Sequence, residues 1–498
     1  MRCALLPASL LACAIALAAC AAPRAQPAGP GTLPRADVSE PGTTAEPEAA
    51  PVPPPRGTTR DVTPSEQHAI DQLMHDAERV RELRFVRPVA AIVQDAAAIE
   101  AYVESQIEPA QVDDAIALYG ALGLIDPALD LRALWLRLMS EQVVGYYDID
   151  QSRLVIRDDV MRGFASASSR VKKRGFDSPK RKAKKQAAVD LEEARVVLIH
   201  ELVHALQDQH LSLAKTMQEE RDTDGENALR ALVEGDATLA MISYVFDKEG
   251  VPLTSLTRDP ARVRGLSGAV TAPMQGTELA NAPPIVRVSL MSAYVDGLSF
   301  AAALHGAGGF ARVNRAYVEL PQSSEQVLHP ERFARHEPVQ RVSMPSAASL
   351  LGEQHTLVVE DTLGELEMSV YFAQAAGEVV GRRAADGWNG DRVYVYRATD
   401  KKLSAVWITT WDDERQAVEA ERAALAVRAE VPANARDGHA VLRENRSVLI
   451  MRSLGREQQE VVRSRFSAWL ALGKPALADG ARDTRKPATS AKGGAQAD

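Results

Sequence analysis

Cysteine is almost missing from this chain of 498 residues: Cys3, Cys13 and Cys20 are the three it has. Everything after position 20 is therefore without disulfides and without a cysteine nucleophile. A metal site in that part has only His, Asp and Glu to draw on. Positive charge is not in excess either. A formal net charge of −9 argues against a general nucleic-acid binder, which favours a basic surface. No internal run approaches the roughly 18 to 20 apolar residues that span a bilayer, and no repeat recurs at a solenoid period. What is present, 46% hydrophobic and 25% charged residues, is ordinary for a soluble globular protein. The length suggests about two to four domains.

The three cysteines lie in or just after a targeting segment. MRCALLPASLLACAIALAAC has one positive charge, Arg2, then an apolar stretch closed by Leu17-Ala18-Ala19-Cys20. It resembles a bacterial lipoprotein signal over residues 1–19, with Cys20 lipidated as the first mature residue; a plain secretory signal is the alternative. Residues 20–64, rich in Pro and Ala and containing PVPPP at Pro51 to Pro55, cannot bury a core and read as an extended tether. The last stretch, 474–498, reads as a disordered tail.

Between these ends the pattern is α+β. HAIDQLMHDAERVRELRF reads as an amphipathic helix on which His68 and His75 are solvated or packed rather than ligands. Val143 to Asp159 reads as two short strands around a polar turn at Asp148 to Ser152. Nine Lys or Arg and one acid, Asp177, lie between Arg170 and Lys185. That run is a solvated loop, a patch for anionic lipid or polymer, or a protease-sensitive activation loop. From about Ser346 to residue 473 helices alternate with the strands RVYVYRA, AVWITTW and SVLIMRS, giving a compact α+β C-terminal module. GWNGDR (Gly387 to Arg392) reads as a tight turn whose Trp388, Asp391 and Arg392 could pin that module to the preceding domain, 65–345.

The chemistry concentrates in VVLIHELVHALQDQH, Val196 to His210. On a helix His200 and His204 leave the same face one turn apart, where one metal ion can accept both imidazoles. Glu201 sits beside the first histidine, within reach of a water on that metal. Val196, Val197, Ile199, Val203 and Leu206 would bury the helix, and buried paired histidines need a partner. A third ligand is sought in ALRALVEGDATLAMISYVF, apolar but for Arg230, Glu234 and Asp236. Glu234 as ligand, with Asp236 orienting a histidine, is the first reading. Asp236 as ligand, or a structural salt bridge to an arginine such as Arg230, are the alternatives.

His200-Glu201-x-x-His204 with Glu234 in the next helix resembles the gluzincin group of zinc metallopeptidases. HELVHALQDQH, ALVEGDATL, PQSSEQVLHPERF and GWNGDR together resemble a set of prokaryotic HExxH proteins, often secreted or lipid-anchored. Two departures are Ser323-Ser324-Glu325-Gln326 for Ser-Thr-Glu-Gln and Asn389-Gly390-Asp391 for Gly-Gly-Asp. The resemblance implies a helix-rich zincin-like domain and Zn2+ held by His200, His204 and Glu234. It also implies a metal-bound water of pKa about 7 and Glu201 as general base. For the oxyanion it leaves His329 as the first candidate and Tyr294 as the second. Leu154 to Asp158 resembles the edge strand beside which zincins lay an extended peptide.

The function expected is hydrolysis of a peptide or protein substrate by an enzyme tethered to a membrane through its N-terminal lipid, with no nucleic-acid partner. The place expected is the cell envelope. Ala21 after Cys20 lacks the aspartate of inner-membrane retention, which points to the periplasmic face of an outer membrane where the cell has one. A non-catalytic scaffold lipoprotein and a zinc hydrolase of a non-peptide envelope polymer are the alternatives.

Overall fold

In a computed structural model the structure describes residues 56–140, 143–168, 180–271, 278–344 and 347–471. The signal segment with Cys20, the tether up to Pro55, the tail and the basic run up to Pro179 lie outside these residues. The first part alternates strand and helix: β1 (Thr59–Asp61), α1 (Pro64–Arg81), β2 (Ala90–Gln94), α2 (Ala96–Gln106), α3 (Pro109–Leu122), α4 (Leu131–Ser140), β3 (Gly145–Asp148), β4 (Arg153–Arg157) and α5 (Asp158–Ser168). A helical part follows: α6 (Lys180–Leu211), α7 (Leu213–Met217), α8 (Thr223–Lys248), α9 (Thr254–Thr257), α10 (Pro260–Thr271), α11 (Glu278–Asn281), α12 (Pro284–Ala316), α13 (Ser324–Leu328) and α14 (Pro330–Ala334). The remainder is β5 (His355–Asp361), α15 (Gly364–Ala376), α16 (Glu378–Ala385), β6 (Trp388–Ala398), β7 (Leu403–Trp411), α17 (Glu414–Glu430), β8 (Ala440–Glu444), β9 (Ser447–Arg452) and α18 (Arg456–Ala471).

The chain is thus mixed α+β, with two small sheets. Folding begins earlier than the tether boundary at 64 implies. β1 pairs with β2, and Thr63 closes a capping box with Glu66 at the start of α1, which satisfies two backbone donors at the helix start. His68 and His75 lie exposed on that helix.

The first sheet runs β1-β2-β4-β3. β4 pairs parallel with β2 and antiparallel with β3, so the stretch expected to be an edge strand is interior. The edge belongs to β3, because the short turn after Asp148 folds it back along β4 on the side away from β2. The second sheet runs β5-β6-β7-β9-β8, all antiparallel. GWNGDR is not a separate turn. From Trp388 it belongs to β6, with an irregularity between Trp388 and Gly390.

α6, α8 and α12 form the centre, with α1 packed against the first two. α8 and α12 cross at backbone distance. A Cβ on Gly235 would stand 2.1 Å from the Gly297 carbonyl oxygen, and one on Gly297 would stand 2.3 Å from that of Ala231. By length and composition α12 could cross a membrane, which the sequence reading did not expect; 61% of that window is buried inside the protein. Its apolar surface serves this core.

The C-terminal module has one apolar core of its own, with Tyr394 and Ile408 against Phe466 of α18, and shares another. Leu118 and Leu122 of α3 share one apolar cluster with Val393 and Trp407 of the second sheet. Buried acids sew the seam. Asp391 accepts from the indoles of Trp388 and Trp407 and from the backbone N–H groups of Leu363 and Gly364 at the head of α15. It therefore organises the module internally. The link across to the helical part comes from other residues: Asp361 accepts from Thr223, and Glu367 accepts from Asn227.

Gly235→Ala should lower the free energy of unfolding by about 3 kcal/mol or more, since a methyl there meets backbone rather than a movable side chain. Gly265→Ala, with nothing within 4 Å of the added methyl, should be neutral or stabilise by up to about 1 kcal/mol. Urea denaturation of both variants checks the pair.

Candidate metal centre

α6 presents His200, Glu201 and His204 from a helix whose other face is sealed. Val196, Val197, Ile199, Val203 and Leu206 are at most 3% exposed. Burying each such side chain stabilises by about 1.5–3 kcal/mol, which fixes the helix and leaves its polar residues little freedom. α8 lies against α6 and brings Glu234 to the histidines. Glu234 Oε2 is 3.0 Å from His200 Nε2 and 3.8 Å from His204 Nε2. One ligand atom from each of the three lies within 4.8 Å of the others.

The protonation of this cluster follows from its surroundings. Burial pushes both imidazoles down, His200 to about 3 and His204 to about 4, so each is neutral near pH 7. Burial pushes Glu234 up, against the pull of His204 and a hydrogen bond from the Tyr294 hydroxyl. A chain of contacts then sets the His204 tautomer. Gln207 Nε2 donates to the Val233 carbonyl and to Asp236 Oδ2, both at 3.0 Å, which leaves Gln207 Oε1 as an acceptor. His204 Nδ1 is 2.8 Å from that oxygen and so must carry the ring proton. Its Nε2 faces Glu234 as a bare lone pair.

Asp236 does not join the cluster. Its carboxylate pairs with Arg81 at the end of α1, Oδ1 to Nε at 2.7 Å with both side chains fully buried, and accepts from the Tyr317 hydroxyl. The arginine facing Asp236 is thus Arg81, whereas the charge of Arg230 acts on Glu234. Asp236 orients His204 only through Gln207.

Glu201 is held from β3: the Tyr147 N–H donates to its Oε2 at 2.9 Å. Tyr294 sits over the site from α12, its ring stacked on His200 with centroids 6.3 Å apart. His329 is elsewhere. Its Nε2 is 3.0 Å from Glu365 of α15, and that carboxylate raises its pKa. The helix before it docks through Ser324 on Asp224, ten residues before Glu234 on α8, or about 15 Å along the axis. The second-choice oxyanion residue is therefore the one at the cluster.

Arg81, Gln207, Tyr317 and the Tyr147 amide were missed in the sequence. Gln207, three residues after His204 on the same helical face, carried a readable signal; the others come from distant segments. Toward the N-terminal ends of α8 and α12 lies a cavity of about 60 Å³, lined by none of the cluster residues but by Tyr119, Trp135, Met139, Arg230, Leu290 and Glu367, among others. Arg230 precedes Glu234, and Leu290 precedes Tyr294, by one helical turn each.

Residues 353–464, the second sheet with its helices, match a family described as a domain of unknown function (DUF8575). No curated protein and no solved structure matches the chain.

Removing Arg81 would strand Asp236 as a buried charge. Arg81→Met should cost about 3–5 kcal/mol, read from the urea midpoint. Glu367 supplies a pH test. Tyr119, Asn227 and Ser289 all donate to its Oε1, and burial pushes it up from 4.5 to about 7. Between those values the folded protein holds a proton that the unfolded chain has released. The stabilisation is complete in acid and is lost as the pH rises through about 7. Unfolding free energy should fall with rising pH more steeply in the parent than in Glu367→Gln. The difference should approach about 1.4 kcal/mol per pH unit.

Proposed function

We propose that the chain is a zinc metallopeptidase, tethered to a cell-envelope membrane by lipid on Cys20. The observation that carries this reading is the tautomer of His204. A bare imidazole nitrogen and a carboxylate oxygen turned toward each other in a dry site repel unless a cation or a proton lies between them. With His200 they form the two-nitrogen, one-carboxylate set that suits zinc and leaves a position for water. Neighbouring ligand atoms on a four-coordinate zinc stand about 3.4 Å apart, and the separations of 3.0 Å and 3.8 Å lie on either side of that value.

When bound, zinc supplies polarisation that brings a water's pKa near 7. Glu201, anchored by the Tyr147 N–H, takes the proton of the attacking water and passes it to the departing amine. The Tyr294 hydroxyl, which donates to Glu234, would turn from it to meet charge developing on the scissile carbonyl oxygen. For an extended peptide to add along β3, that strand, buried over its whole length, would have to be uncovered. The cavity one turn away along α8 and α12 would take a side chain beside the scissile bond.

A second reading has one observation in its favour. His200, Glu201, His204 and Glu234 are each at most 2% exposed, which leaves a substrate little access to a metal held there. On that reading the protein is a metal-stabilised scaffold of the envelope.

Metal analysis and a peptide-substrate screen separate the two. His204→Ala and Glu234→Ala should each lower bound zinc by about one equivalent per chain. Glu201→Gln should retain the metal and lose about 10²–10⁴-fold in peptide turnover. Unchanged zinc in both ligand variants would sink the metallopeptidase reading. Zinc binding without turnover of any peptide would leave the scaffold, or a hydrolase of another envelope polymer.

A further inference from the structure

Three residues with no part in that reaction meet at a second place. His329 stands at the junction of α13 and α14, Glu365 in the first turn of α15, and Asp386 at the C-terminal cap of α16. His329 Nε2 is 3.0 Å from Glu365 Oε1 and 4.0 Å from Asp386 Oδ1. One ligand atom from each lies within 4.8 Å of the other two. Metal–ligand bonds of about 2.0–2.2 Å set neighbouring donors roughly 3–4 Å apart, so this spacing suits three donors on one cation.

The Glu365 side chain is the independent sign that something belongs there. The residue is 5% exposed, and while its Oε1 meets His329, its Oε2 is buried with no hydrogen-bond partner. Leaving such an oxygen unsatisfied forfeits its hydration with nothing in return. Arg332, the nearby cation, is committed to Glu325, Asp412 and Glu337. Glu331 adds another carboxylate 3.9 Å from His329 Nδ1. A protonated imidazole could offset one of these charges, whereas a divalent cation offsets the charge of both Glu365 and Asp386. The Asp386 side chain is 59% exposed, so a cation can enter and water can complete its shell.

We propose that His329, Glu365 and Asp386 form a second divalent-cation site, separate from the His200–His204–Glu234 cluster, that clamps the α13–α14 junction onto α15 and α16. An imidazole with two carboxylates suits zinc or manganese better than calcium or magnesium, which prefer oxygen-only shells. The site is structural in effect. The Leu366 N–H donates to Ser324 Oγ, and Ser324 is docked on Asp224 at the head of α8. The cation would therefore reinforce the join between the second sheet and the central helices.

The test is zinc stoichiometry on the full chain, stripped with chelator and dialysed against zinc. The parent should hold about two equivalents, His329→Ala and Glu365→Gln about one, and the His204→Ala/His329→Ala double variant none. Asp386→Asn guards against misfolding, because the residue is exposed. Placed in the His204→Ala background it should weaken the remaining zinc site about tenfold or more and reduce the rise in Tm on adding zinc. Equal zinc in the parent and His329→Ala, or an unchanged affinity with Asp386→Asn, overturns the proposal. Loss of one equivalent in His204→Ala but none in His329→Ala also overturns it, while leaving the first site intact. The reverse pattern supports this site and removes the first.

Discussion

Everything polar at the centre of this protein hangs on one buried carboxylate. Asp236 sits fully buried on an apolar helix, and Arg81, arriving from the end of α1, neutralises it. Once neutralised, the carboxylate has an acceptor left for Gln207 and another for Tyr317. Gln207 cannot then rotate, and His204 cannot choose its tautomer. A charge pair two steps from the candidate ligands thus decides which nitrogen lone pair faces Glu234. Indirect control of this kind is common around metal-binding histidines, where the outer partner fixes the ring proton.

The second constraint is steric. α8 and α12 approach closely enough that neither Gly235 nor Gly297 has room for a methyl. That closeness lets α12 lay the Tyr294 ring over His200 and bring its hydroxyl to Glu234. A wider crossing would separate Tyr294 from the cluster and open the core between the helices. The same two helices run past the cavity that holds Arg230 and Glu367, so packing, polar network and neighbouring void share one scaffold.

The C-terminal sheet is joined to that scaffold rather than merely following it. Asp391 builds the start of α15 by accepting its backbone N–H groups. α15 then lies against the heads of α8 and α13, where Gly364 leaves no room for a side chain beside Asp224. Leu118 and Leu122 complete the join by packing into the core of the second sheet. Near residue 346 the sequence texture changes; one face of the second sheet has its own core, and the other shares its core with α3.

Local pattern was enough for much of this. The helix bearing HELVH, the hairpin at 145–157 and most of the C-terminal strands and helices were legible, because apolar spacing and turn residues are properties of neighbouring positions. So was the pairing of His200 and His204, which follows from helical pitch alone. β5 and β8 went unread, as each is half-buried and lacks a clean alternation. Glu234 was the first reading as partner of the histidines; setting aside Asp236 needed the position of Arg81, which lies 155 residues before Asp236. Moving His329 away from the cluster and the edge role from β4 to β3 needed the docking of α13 and the sheet order. Chain-local periodicity therefore determined which side chains share a face. The packing of distant segments decided what each face meets, because a charge or a lone pair acquires its partner only when the chain closes around it.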